Sequence, residues 1–407
     1  MRNIVIVGAG QAGLQLGVGL LDAGHRVTVV SDRTAEQIRD GRVMSSQCMF
    51  GGALARERAL GLGFWDESCP PVEGMGFSIA DGAGGRSVDW IARLDLPAQS
   101  VDQRVKVPAW LREFRRRGGE VEHAEATVAD LEEYAREADL VVVAAGKGEI
   151  SGLFPRDERR SAHATPQRAL ALTYVRGMRP VPEHSAVSFN VIPGVGEYFA
   201  MPALTTSGPC DIMVFEGVPG GPMDCWGDVR TPAEHLARSK WVLDTFAPWE
   251  GERSRDVSLT DDGGVLAGRF APTVRHPVGV LPSGAVVLGM ADVVVLNDPI
   301  TGQGSNNASK CAASYLASIT AHGDRPFDAE FMRGAFELYW DYARFPTGWT
   351  NALLAPPPPH VLELLAAAQE NPRVARRFVN GFDEPRDFFL WFMDPTVAAD
   401  YLAEVRS

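Results

Sequence analysis

The run Ile4-Val5-Ile6-Val7-Gly8-Ala9-Gly10-Gln11-Ala12-Gly13 constrains this chain more than any other stretch. Four branched apolar residues predict a strand buried within a parallel sheet. The glycines then have separate duties. Gly8 allows a tight turn, Gly10 lets backbone approach a pyrophosphate, and Gly13 lets the next helix pack close to the strand. That helix is expected from Ala12 to about Ala23, with Gly24 at its end. Its N-terminal N–H groups would face the phosphates. A second strand, Arg26-Val27-Thr28-Val29-Val30, follows. The acid expected to bind ribose hydroxyls arrives as Asp32, 19 residues after Gly13 (32 − 13), while Ser31 holds the more usual place for it. Strand, helix, second strand and acid together point to a dinucleotide; the alternative is a tight strand–helix turn with no ligand. On the dinucleotide reading, Gly8, Gly10, Gln11, Ala12, Gly13, Asp32 and Arg33 are candidate cofactor contacts.

A second glycine-rich segment lies far down the chain. Ala285-Val286-Val287-Leu288-Gly289 reads as a strand and is followed by Asp292 and by Asp298-Pro299-Ile300-Thr301-Gly302-Gln303-Gly304. A carboxylate at Asp292 can accept hydrogen bonds from ribityl hydroxyls; a turn or N-cap aspartate is the alternative. Pro299 fixes the backbone. Gly302-Gln303-Gly304 permits a loop flat enough for a flavin ring. The helix expected from Ser305 would add N–H groups that stabilise a reduced, anionic flavin. The two segments together suggest FAD gripped at both ends. Pro299, Gly302, Gln303, Gly304, Ser305 and Asn306 join the candidate cofactor contacts, with Gln303, Asn306 and Asn307 as plain polar caps on the bland reading.

The chain has 407 residues, 45% of them apolar, enough for a sizeable core and two domains. A net charge of −13 argues against nucleic acid as a partner. The N-terminus runs directly into the first strand, so no signal peptide is expected. Val278 to Leu296 is broken by Pro282, Ser283 and Asp292 and reads as two strands and a turn, not a membrane span. The five cysteines form no Cys-x-x-Cys pair, so buried thiols in a reducing cytoplasm are expected, without metal or disulfide.

Several further elements complete the α/β reading. A helix is expected over Val101 to Gly118 and a buried strand over Asp139 to Gly146, whose small end residues, Ala145 and Gly146, would let a cofactor lie against backbone. Antiparallel strands are expected at 170–175, 186–191 and 211–216. The architecture expected is a Rossmann-like FAD-binding domain (1–165 and 284–325), an inserted antiparallel-sheet substrate domain with α+β character (166–283), and a helical C-terminal region (326–407). Pro356 to Pro359 form a stiff connector between helical blocks. Phe189, Tyr198, Phe199, Met201, Pro202, Leu204 and Phe215 are candidates for an apolar pocket, with core packing as the alternative.

The chain resembles the oxygenase component of two-component styrene/indole monooxygenases, the group E flavoprotein monooxygenases of the para-hydroxybenzoate-hydroxylase-like fold. The resemblance runs through Gly8 to Leu14, Val27-Thr28-Val29 with Ser31-Asp32-Arg33, Arg42-Val43-Met44, Val101-Asp102-Gln103-Arg104, Asp139 to Lys147, Pro166 to Leu170, Asp298 to Asn306, Trp349-Thr350-Asn351 and Phe378 to Phe382. The displaced Ser31-Asp32 pair is usual in that family. The resemblance implies that a separate NAD(P)H-dependent flavin reductase supplies reduced FAD, which reacts with O₂. A C4a-hydroperoxyflavin then gives one oxygen to an alkene, an indole or a sulfide. It further implies a small apolar or indole-type substrate and a cytoplasmic enzyme; a homodimer is one admissible assembly. Arg42 and Arg104 match positions near the flavin, with a surface or interdomain salt bridge as the alternative. Ser45 and Ser46 fall where relatives commonly have Asn and then Ser/Thr, close to the expected oxygen-transfer site. Met49 falls near a position that is His in the styrene enzymes; ordinary packing around a loop is the alternative for all three. Ser45, Ser46, Pro299, Gly302 and Gln303 are therefore the candidate catalytic set. Rivals are a single-component NAD(P)H-dependent aromatic hydroxylase of the same fold and a flavoprotein without oxygenase activity.

Overall fold

The computed structural model describes residues 1–145 and 148–406. The first sheet is built on β1 (Asn3–Val7), flanked by β2 (Arg26–Ser31) and β6 (Leu140–Val143). Both pair with it in parallel, Ile4 opposite Val27 on one side and Leu140 on the other. β5 (Glu120–His123) extends the β2 edge, and β15 (Val286–Gly289) with β14 (Val278–Val280) extends the other. The order is β14-β15-β6-β1-β2-β5, with only β14–β15 antiparallel among these pairs. Ile4 and Ile6 have no exposed surface, as expected of a strand covered on both faces. One cover is α1 (Gln11–Asp22), buried from Gln11 to Leu20. Short helices α2 (Ala35–Arg39) and α3 (Gly51–Ala59), with α4 (Gln103–Arg116) and α5 (Val128–Glu137), fill the connections.

The second sheet has eight strands. β3 (Val72–Ala80), β4 (Arg86–Ala98), β7 (Ala169–Arg176), β8 (Ala186–Ile192), β9 (Gly196–Thr205) and β10 (Gly208–Gly217) are joined by the short β11 (Ser258–Leu259) and β12 (Val265–Gly268). It is antiparallel except where β3 meets β8. This corrects the expected boundaries. β3 and β4 lie before residue 166 yet belong to this sheet, because Met75, Phe77 and Ile79 alternate into its buried face. β14 lies before residue 284 yet belongs to the first sheet. The chain therefore passes between the two sheets more often than a single insertion would require. A small ladder of β13 (Thr273–Val274) with β16 (Val295–Leu296) lies along one return.

The two faces of the second sheet are covered differently. α6 (Pro232–Phe246) and α7 (Pro248–Arg253) close one over Tyr198, Phe215 and Trp226. The C-terminal helices face the other. These follow α8 (Gln303–His322): α10 (Pro359–Glu370), α11 (Pro372–Asn380) and α12 (Pro395–Arg406), while α9 (Ala329–Leu353) packs mainly against α8 and reaches this face only near its C-terminal end. The gap between α9 and α10 is the expected proline connector. Cys48, Cys69, Cys210 and Cys311 are buried and Cys225 is half-buried, all as thiols. Among the described residues, no group of His, Cys, Asp and Glu could hold a metal, and no helix is long and apolar enough to cross a membrane.

Candidate active site

The glycines at the end of β1 behave as three distinct devices. Gly8 has φ +121°, and a Cβ on it would lie 2.8 Å from the backbone of Ala144 and Ala145 at the end of β6. A Cβ on Gly13 would lie 2.0 Å from the Gly8 carbonyl oxygen. The Cβ position of Gly10, in contrast, has no atom within 4 Å, so space opens above it. Gly10 is also the N-cap of α1, with no side chain capping the helix and no acid in its first turn. The first N–H groups are thus left for an anion, which fits a pyrophosphate. Asp32 follows β2 directly and is exposed, its carboxyl 3.5 Å from the Arg33 guanidinium. The Ser31 hydroxyl donates to the Arg33 carbonyl (2.7 Å) and shapes that turn. Ala145 lies beside Gly8 at the end of β6, and Gly146 falls outside the described residues.

The second segment meets the first where Gln11 Nε2 donates to the Ser305 carbonyl. Ala291 has φ +52° and is the one non-glycine residue with positive φ among those described. An alanine held there stores strain of about 1–2 kcal/mol. Asp292, next to it, is open to solvent while protein crowds its carboxyl. Burial pushes the group up to about 6, with the Arg275 cation opposing. Exposure combined with desolvation is what a carboxyl on the wall of a cleft experiences. The Asp298 carboxylate then accepts the Ile300 N–H (3.2 Å) and caps the turn Pro299–Thr301. Gly302 ends that turn at φ +63° and serves as the uncapped N-cap of α8. The Cβ positions of Gly302 and Gly304 both meet open space.

Buried amides tie these parts together. Gln11 Nε2 donates to the Ser305 carbonyl (2.9 Å), and Gln103 Nε2 donates to Gln11 Oε1 (3.4 Å). The starts of α1, α4 and α8 therefore meet at one point, with Ala12 buried beneath them. Asn306 donates to the Cys48 and Gly302 carbonyls (2.8 and 2.9 Å) and accepts the Phe50 N–H (2.9 Å). Its amide is committed to holding the 45–50 segment against α8. Gln303 is also a brace: Nε2 donates to the Phe382 and Thr301 carbonyls (2.8 and 3.3 Å). The Asn306 amide, expected at the cofactor, is satisfied by protein; the Gln303 Oε1, also buried, accepts no hydrogen bond from the described residues. Ser45 and Ser46 are half-buried. Ser45 donates to Gln47 Oε1 (2.8 Å), and its carbonyl accepts the Tyr174 hydroxyl (3.0 Å). Met49 is buried with its sulfur 3.5 Å from Gln11 Nε2.

Arg42 is exposed, whereas Arg104 is buried and fully engaged. The Arg104 guanidinium contacts Asp261 (2.8 and 3.0 Å), Asp102 (2.9 Å), Thr205 (3.1 Å) and the Gly41 carbonyl (3.3 Å). The salt-bridge alternative describes Arg104: it joins α4 to β9 and the turn after β11.

Between the second sheet and the C-terminal helices lies a cavity of about 640 Å³. Phe77, Phe189 and Val191 form the sheet side; Leu365, Phe378 and Phe382 form the helix side; Pro356 and Pro357 contribute from the connector. Ile300, from the turn capped by Asp298, is part of its wall. Of the expected pocket residues only Phe189 lines it. Phe199 stacks behind Phe189 at 5.5 Å, Met201 is core, and Tyr198 and Phe215 pack on the opposite face, as strand alternation requires. The helix-borne half of the wall was missed in the sequence. Its signal was the apolar stripe Val374-Ala375-Phe378-Val379 on an otherwise basic helix.

A family model described as "Styrene monooxygenase A putative substrate binding domain" matches residues 146–253. A styrene monooxygenase StyA of Pseudomonas fluorescens is 28% identical over 405 residues, covering 97% of this chain and 96% of that protein. A second StyA, from a Pseudomonas species, is 27% identical with the same coverage. Among solved structures, a triple mutant of the flavin-dependent brominase Bmp2 covers 99% of both chains with a TM-score of 0.64 at 15% identity, which speaks for the fold alone. Fold, cleft and relatives define a flavin-dependent monooxygenase with FAD as its cofactor. Within that class the chain is styrene-monooxygenase-like along nearly its whole length.

Proposed function

We propose that this chain is the oxygenase component of a two-component system. It receives reduced FAD from a separate NAD(P)H-dependent flavin reductase and uses O₂ to epoxidise or hydroxylate an apolar alkene, an indole or a related aromatic. The observation that carries this reading is the apolar cavity with Ile300 in its wall, since Ile300 belongs to the turn read as facing the flavin ring. Reduced FAD, when bound, would supply the two electrons that activate O₂, and O₂ would supply the transferred oxygen atom. The protein's part is binding, orientation and exclusion of water.

On this reading Gly8, Gly10 and Gly13 admit the pyrophosphate, Asp32 holds the adenosine ribose, and Asp292 holds the ribityl chain. Pro299, Gly302 and Gly304 present a flat backbone to the ring, and the uncapped start of α8 stabilises negative charge there. Gln303 and Asn306 keep that backbone in place. Ser45 and Ser46 are proposed to border the oxygen-transfer site; Arg33, Arg42 and Ser305 are proposed at the rim of the cofactor cleft. Phe189, Phe378 and Phe382 surround an aromatic substrate with apolar wall, and a cavity of this size falls in the range of small-molecule sites. The test supplies purified chain with FAD, NADH and a generic flavin reductase, and assays styrene oxide and indole-derived pigment. Product is expected only when the reductase is present. Rapid NAD(P)H oxidation by the chain alone would point instead to a single-component hydroxylase.

A further inference from the structure

Beneath the turn Pro299–Thr301 lies a cluster of charge-bearing groups that the proposed chemistry does not use. Glu216, near the end of β10, has no exposed surface. Neither of its carboxyl oxygens receives an N–H or O–H from the described residues. Its cross-strand partner on β9 is another acid, Glu197. Two ionised carboxylates directly opposite one another destabilise a sheet. Glu197 is relieved by Arg168, whose guanidinium grips it at 2.6 and 2.9 Å. The remaining Arg168 donor, Nη1, goes to the Gln167 and Leu354 carbonyls (2.9 and 3.4 Å). One Nη2 hydrogen of the five remains, and it forms no bond to Glu216.

The group that Glu216 does meet is the carboxyl of Asp298, within hydrogen-bonding reach. Asp298 is itself buried and caps the Ile300 N–H. A hydrogen bond between two carboxyls requires a proton on one of them. The choice between them follows from their partners. Asp298 has a backbone N–H to accept and His163 close enough to favour its charge; Arg168 favours the charge of both, and Glu216 accepts no N–H from the described residues. Burial and the neighbouring acids push Glu216 well above the usual carboxylate range. Three buried carboxyls face one guanidinium here, and a proton on Glu216 reduces the excess negative charge.

We propose that Glu216 is a positioning residue: it stays protonated, donates to Asp298, and through Asp298 sets the turn that carries Pro299 and Ile300 between flavin and cavity. This rests on reading residues 298–304 as the loop against the flavin ring. The shared proton makes the turn's geometry depend on pH. When both carboxyls ionise, repulsion pulls Asp298 off the Ile300 N–H, and the loop loses its cap.

Two readouts test this without any oxygenation step, so they stand or fall apart from the assigned reaction. Infrared difference spectra of wild type against E216Q at neutral pH should show a protonated-carboxyl C=O band that disappears in the variant. Titration with oxidised FAD should show wild-type affinity falling about tenfold from neutral to alkaline pH. The glutamine amide introduced by E216Q does not ionise and still donates, so the pH profile of that variant should stay flat. E216L, which keeps bulk and loses the donor, should bind FAD about tenfold more weakly at neutral pH. Absence of the band in wild type would overturn the protonation. A wild-type pH profile superimposable on that of E216Q would overturn the link to the flavin loop. Should E216L fail to fold, the E216Q spectra and profile decide alone.

Discussion

At the cofactor end of the cleft, fit is set by side chains that are missing; at the cavity, it is set by side chains that are large. A Cβ on Gly13 would meet the Gly8 carbonyl at 2.0 Å, and that carbonyl cannot move without dismantling the end of β1. Around the cavity, Phe77, Phe189 and Phe199 form a continuous stack at 5.6 and 5.5 Å, with Phe378 edge-on to Phe77 at 5.7 Å. Such a wall can be resized by changing one rotamer or one residue, whereas a backbone cradle is kept or lost. One fold can thus keep a fixed cofactor and vary what it oxygenates.

The contrast is broken most severely by Gly13→Val. Side-chain overpacking costs about 1–3 kcal/mol, and a clash with backbone exceeds that range. Protein from this variant should be insoluble or devoid of FAD, as read by the flavin absorbance of the purified fraction. Asp32→Ala should weaken reduced FAD by roughly 1–3 kcal/mol, the scale of losing hydrogen bonds to a charged acceptor. Anaerobic titration reads this directly, and unchanged affinity would remove Asp32 from the ribose.

At the cavity the expected effects are smaller and selective. Val191→Phe narrows the sheet-side wall. It should lower turnover of the bulkier of two aromatic substrates about tenfold relative to the smaller. FAD affinity should stay within about twofold; a comparable loss at the cofactor would mean the two halves are coupled more tightly than their construction suggests.

The smallest effect concerns pH. The Asp292 carboxyl is raised from the usual 3.8 to about 6 in the folded protein. The native state therefore holds the proton more tightly than the unfolded chain. Stability from this group is present below about pH 4 and is lost as pH rises toward about 6. Because the residue is open to solvent, the contribution is no more than about 1 kcal/mol. Melting curves of the FAD-free protein should show this decline, and Asp292→Asn should flatten it.

The backbone geometry of the two glycine segments was largely legible in the sequence because its signals are local. Gly8, Gly10 and Gly13 state backbone requirements within one short run, and Asp32 lies one short helix and one strand away. The same holds for Gly302, whose positive φ follows from its place after Asp-Pro-Ile-Thr. The cavity half was legible only in part. Strand alternation placed Phe189 and Phe215 on known positions but could not say which face would stay open. That depends on helices much later in the chain, α10 and α11, whose apolar stripes also read as ordinary core. Arg104 and Asn306 stand out in the sequence as candidate cofactor contacts. Their partners, Asp261 and the 48–50 segment, are distant in sequence, so no local pattern announced them as braces. Glu216 reads as one more polar residue at a strand end; only the fold sets it opposite Glu197 and beside Asp298.

The most direct test of the central claim is turnover under isotopically labelled O₂ with a separate flavin reductase, followed by mass spectrometry of the product. One labelled oxygen atom is expected in each epoxide or hydroxylated product, with NAD(P)H consumed only when the reductase is present. Unlabelled product, or NAD(P)H consumption by this chain alone, would contradict it.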